Sequence, residues 1–109
     1  VVFARFSAES VCSGGSPGAS SWCSVQILLN GVPMEPDVGI DFAFDSTNKG
    51  AETNGSFEGH TVERSERCMK PGTYEIKAQW AVRGGFGSPP TFRVDDWSLF
   101  FEAAEDDNC

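Results

Sequence analysis

Four cysteines, Cys12, Cys23, Cys68 and Cys109, carry the most definite chemistry in this chain. An even count in a short sequence reads as a disulfide framework, for which three connectivities exist. Cys12 and Cys23 flank the Gly/Ser-rich stretch SGGSPGASSW, which lets the chain double back. Cys68 sits just before the turn Lys70-Pro71-Gly72, and Cys109 is the last residue. The expected bonds are therefore Cys12–Cys23, closing a loop, and Cys68–Cys109, pinning the C-terminal segment. A zinc site would need paired Cys spacing, which the sequence lacks, and only one histidine stands by to complete a ligand set. Disulfides persist in oxidising compartments, so a secreted chain at an extracellular or virion surface is expected. The sequence opens without Met on a strand-like run, as a processed chain would.

The acids are the next candidates. Asp37, Asp41 and Asp45 lie around one apolar run, and Asp95-Asp96 interrupt another. Hard cations take several oxygen ligands, often from loops at one end of a sandwich, so these five form a candidate structural calcium set. No EF-hand pattern accompanies them, and no other cofactor is expected. Asp41, Asp45, Asp95 and Asp96 also supply the paired carboxylates that glycoside hydrolysis uses, although any acidic β-domain would. Asp96 has a further reading, as a carboxylate accepting bonds from backbone N–H groups or from Arg93. Nucleophilic triads need a histidine, and His60 lies in a polar, charge-alternating run that reads as surface. No catalytic constellation emerges, and the expectation is a chain that is not an enzyme.

Aromatic residues offer a different chemistry, that of a flat platform for sugar rings. Trp22 has the opposite parity to Val25 and Ile27, and with Phe86 in a Gly-rich loop it forms the candidate ligand platform. Trp22 packing on the neighbouring disulfide is the competing reading. Trp80 and Trp97 alternate in phase with apolar neighbours and read as core. Asn54-Gly55-Ser56 matches a glycosylation acceptor and falls in a polar segment.

These residues need a scaffold, and 109 residues suffice for one domain spanning 1–109. A hydrophobic share of 39% with 12% aromatics is incompatible with disorder. The net charge of −8, from 16 acidic and 8 basic residues, repels phosphate backbones and anionic lipid. Nucleic acid is excluded as a partner, and no apolar run approaches the ~20 residues that span a bilayer.

Period-2 alternation dominates. Val2, Ala4, Phe6 and Ala8 share one face, as do Cys23, Val25, Ile27 and Leu29. Asn30-Gly31 is a hairpin signal, and Val32-Pro33-Met34 starts a short return that proline marks as an edge. GIDFAFD alternates Ile40, Phe42 and Phe44 inward. STNKGAETNG reads as an exposed loop, and SFEGHTVERSERC as a polar strand near an edge. TYEIKAQWAV places Tyr74, Ile76, Ala78, Trp80 and Val82 inward. The last run changes parity between Phe92/Val94 and Trp97/Leu99/Phe101, and a bulge at Asp95-Asp96 would turn both sets inward. The fold class expected is all-β: an antiparallel two-sheet β-sandwich, jelly-roll or Greek-key, of about seven or eight strands, with a closed barrel as runner-up.

FSAES, WCSVQILLNG, FAFDS, PGTYEIKAQWAV and FRVDDWSLFFE together resemble a loose group of uncharacterised secreted bacterial and phage-associated sandwich domains. The PGT-strand followed by DDW-x-L is similar to the closing strands of jelly rolls in tail-fibre-like and complement-like modules. The resemblance implies fold and an extracellular setting, carries over no catalytic residue, and leaves the Cys68 and Cys109 pair outside the pattern. The expected function is a non-catalytic structural or interaction protein, a self-associating homo-oligomer or polymer in a fibre, filament or surface layer. The N-terminal run would either complete its own sheet or be donated to a neighbour's. A carbohydrate-binding module with a glycan partner is the alternative.

Overall fold

Alternation in the first run produces β1 (Val2–Gly14), which buries Ala4, Phe6 and Ala8 on its inner side. It is followed by β2 (Trp22–Leu29), β3 (Val32–Pro33), β4 (Asp45–Ser46), β5 (Glu58–Glu66), β6 (Ile76–Arg83) and β7 (Pro90–Ala103). The computed structural model describes residues 1–83 and 88–109. One antiparallel sheet has the order β5-β1-β7; the other is built on β2, with β3 and β4 at one side and β6 at the other. The sandwich is closed around Phe6, Val25, Ile27, Met34, Phe44 and Val62. The N-terminal run completes its own sheet, between β5 and β7.

Local chemistry explains the turns. Asn30 and Gly31 both have positive φ, 49° and 81°, the combination a two-residue hairpin turn requires. Asn30 also ties the hairpin tip to the other side of the sheet, since its Oδ1 accepts the Glu75 N–H at 2.8 Å. The bulge is present: the β1–β7 register shifts between Ser7 and Glu9, Asp96 has φ 47°, and Asp95 Oδ1 accepts the Asp96 N–H at 2.9 Å. Phe92 and Val94 oppose Cys12 and Ser10, while Leu99 and Phe101 oppose Phe6 and Ala4, so both parities end on the inner face.

GIDFAFD departs from expectation. Gly39–Asp41 is a 3-10 turn, and only Asp45–Ser46 pairs with β2. Asp37 Oδ1 accepts the Gly39 N–H at 3.2 Å, and Gly39 has φ 60°; this local bond competes with a ladder. Phe44 is still buried and Phe42 half-buried, with the Arg64 guanidinium 4.7 Å from the Phe42 ring centroid.

Both disulfides form as the spacing suggests. Cys12–Cys23, with a Cα separation of 6.0 Å, joins β1 of one sheet to β2 of the other and is fully buried. Cys68–Cys109, with a Cα separation of 5.4 Å, is exposed. Thiol–disulfide exchange depends on access of the attacking thiolate. Mild reductant under native conditions should therefore open Cys68–Cys109 well before Cys12–Cys23. Timed alkylation and peptide mapping would read the order, and simultaneous loss would contradict the burial.

Candidate interaction site: the open β6/β7 seam

Four strand borders of the sandwich are finished differently. β3 and β4 are only two residues long. β5 turns His60 and Arg64 toward the inner face, opposite Ala8 and Ala4, and its edge is bridged by Glu35, which exchanges both backbone bonds with Ser65 at 2.9 Å. Short strands, inward charges and covering segments all discourage further pairing. Among the described residues β6 and β7 have none of these: each is paired there on one side, to β2 and to β1, and they face each other across the gap between the sheets.

The side chains along that gap are apolar. On β6, Trp80 pairs with Val25 and Val82 with Cys23, so both project to the inner side. On β7, Trp97 and Phe101 share the parity of Leu99, which opposes Phe6. Yet Trp80 is 47% exposed, Trp97 58% and Phe101 60%. The expectation that Trp80 and Trp97 are core is therefore corrected. Their direction is inward, but among the described residues no strand lies beyond β6 or β7 to cover them. Both indoles lie 6.1 Å from the ring of Phe6, which is the buried floor of the seam. Phe100, on the other face of β7, is also exposed, so this strand is apolar on both sides over Trp97–Phe101.

The remaining candidates lie elsewhere. Trp22 is half-buried at the start of β2 rather than displayed, and Phe86 lies outside the described residues. Asn54 is exposed, with its Oδ1 accepting a bond from the Ser13 hydroxyl at 3.0 Å. The five aspartates are dispersed: Asp37 and Asp95 hold backbone N–H groups, Asp41 lies in the 3-10 turn, Asp45 accepts the Ser10 hydroxyl at 2.7 Å, and Asp96 stands at the β7 bulge with φ 47°. Among the described residues, the candidate ligand group drawn within 4.8 Å is Cys68, Asp106 and Cys109, and both of its sulfurs are in a disulfide.

His60 is not a surface residue but stands half-buried on the inner face, 5.5 Å from Phe44, with Nε2 3.6 Å from Asp45 Oδ2. Ser10, Asp45 and His60 thus converge. However, the buried Ser10 hydroxyl donates to Asp45, whereas an activated nucleophile would donate to the histidine.

Near the Cys68–Cys109 end, Arg67 donates two 2.8 Å hydrogen bonds to Asp106. These bonds, with the Asn108 N–H at 3.1 Å, hold the Asp106 carboxyl down at about 2. A carboxyl depressed in the folded state stabilises it above its unfolded value and loses that contribution as pH falls through the folded one. Asp106→Asn should therefore lower the melting temperature slightly at pH 7, and the difference from wild type should close between about pH 4 and pH 2. A gap unchanged at low pH would mean the pair contributes nothing.

Compared with protein families, curated proteins and solved structures, the chain finds no significant match.

Proposed function

We propose that this chain is a non-catalytic interaction module of an extracellular assembly, engaged by addition of an extended polypeptide segment at the β6/β7 seam. The observation that carries this reading is the coincidence of two unpaired strand edges with inward-pointing but exposed Trp80, Trp97 and Phe101. Strand addition uses both features, main-chain bonds for affinity and alternate side chains in the apolar gap for specificity. Two disulfides fit an oxidising, secreted setting. The fibre, filament or surface-layer subunit expected from the sequence is the homotypic form of this reading.

Selection of displayed linear peptides on the native, oxidised protein tests it, together with light scattering over a dilution series. Peptide binding or self-association that disappears in a Trp80→Ser/Trp97→Ser double variant supports the seam; association retained at full strength in that variant overturns it. The exposed indoles also favour the glycan alternative at a new place, Trp80 and Trp97 in place of Trp22. Tryptophan fluorescence that responds to polysaccharides and ignores every peptide would move the assignment there.

A further inference from the structure

The chemistry of the occupant follows from the charges around the apolar stretch. From Asp95 to Cys109 the chain carries Asp95, Asp96, Glu102, Glu105, Asp106 and Asp107 and no lysine or arginine. Asp106 is neutralised by Arg67, and the rest of that acidity has no cation in its own segment. Along β7, Asp95 and Asp96 stand immediately before Trp97 and Glu102 immediately after Phe101. All three are exposed. The free edge is therefore an uncharged, aromatic span with negative charge at both ends.

A second copy of the chain fits such an edge badly. Two copies joined through β7 by a two-fold axis pair antiparallel, and the register that sets Trp97 opposite Phe101 of the second copy centres on Leu99. That same register places Asp96 opposite Glu102 of the second copy at each end. Like charges directly opposite one another destabilise a strand pair. Each molecule also brings a net charge of −8 to the encounter.

We propose that the seam takes an extended segment of a different protein, apolar at alternate positions and carrying lysine or arginine at both ends. This rests on the seam being a strand-addition site. Alternate apolar side chains of the segment cover Trp80, Trp97 and Phe101, and its terminal cations meet Asp95/Asp96 at one end and Glu102 at the other.

The probe is a set of synthetic peptides sharing one core of alternating valine or isoleucine with threonine, flanked by lysine pairs, by glutamate pairs, or by lysines around a scrambled, non-alternating core. Titration against the oxidised protein, followed by intrinsic tryptophan fluorescence, should show the lysine-flanked peptide binding at least about tenfold more tightly than the glutamate-flanked one. Its affinity should fall as salt rises, and the preference should vanish in Asp95→Asn/Asp96→Asn/Glu102→Gln, whose substitutions keep shape and backbone preference. Equal affinity for lysine and glutamate flanks overturns the charge assignment and leaves strand addition standing. So does a protein that dimerises through the Trp97 edge and does so more strongly at high salt, which makes the occupant a second copy. Equal binding of the scrambled peptide overturns the strand pattern in favour of bare electrostatics. A seam that binds no peptide and no second copy removes the strand-addition reading itself.

Discussion

Phe6→Ala should strip the protein of a large share of its stability. Phe6 is fully buried in the middle of β1, and its ring meets Phe44 at 5.8 Å and both Trp80 and Trp97 at 6.1 Å. Truncating a core phenylalanine costs about 3–5 kcal/mol. The upper part of that range applies, because Trp80 and Trp97 are already open to solvent on their far sides and depend on this ring for their buried contact. A domain of this size has about 5–15 kcal/mol in total. Urea unfolding followed by circular dichroism and tryptophan fluorescence reads the change. Phe3→Ala, on the outer face of the same strand and half exposed, is the control and should shift stability by less than about 1 kcal/mol. If the two variants melted alike, Phe6 would not be the centre of the core.

Removing the buried disulfide by Cys12→Ala/Cys23→Ala should be the second largest effect. The two residues are 11 apart, and closing a loop of that length in the unfolded chain corresponds to about 3 kcal/mol. The same expression assigns about 4 kcal/mol to Cys68–Cys109, whose separation is 41. The order is nevertheless expected to reverse. Loop-closure entropy counts fully only when the native state stays fixed once the bond is gone. Cys12 and Cys23 sit in paired strands of opposite sheets and stay fixed. Cys109 follows an exposed segment beyond β7 that regains freedom in the folded state too, which offsets much of the gain. Thermal melts of Cys12→Ala/Cys23→Ala and Cys68→Ser/Cys109→Ser decide this; a larger loss from the second pair would show that the C-terminal segment stays rigid without its bond.

What could be read from sequence follows a clear physical division. Alternation reports which way a side chain points, and it did so for β1, β2, β6 and even for Trp97 across the bulge. It is silent on whether another element lies over that side chain. Burial of Trp80 and Trp97 therefore could not follow from parity, because it depends on β6 and β7 ending their sheets. One signal was present: Trp97-Ser98-Leu99-Phe100-Phe101 is apolar on both faces, unusual for a strand with one face in water. GIDFAFD shows the converse limit. Three alternating apolar residues satisfy a strand template, but Asp37 and Gly39 offered the backbone a closer partner than the sheet. His60 reads as surface from the charged run around it, whereas β5 is an edge that turns polar side chains such as His60 and Arg64 inward.

The Cys12–Cys23 bond has a mechanical consequence. Two sheets held only by apolar contact can slide past one another under tension, since dispersion forces resist lateral motion weakly. Here β1, flanked on both sides by hydrogen-bonded neighbours, is covalently tied to β2 at the heart of the second sheet. A pull applied to a strand seated on the β7 edge passes through β1 and across the sulfur bridge, so both sheets share the load and must yield together.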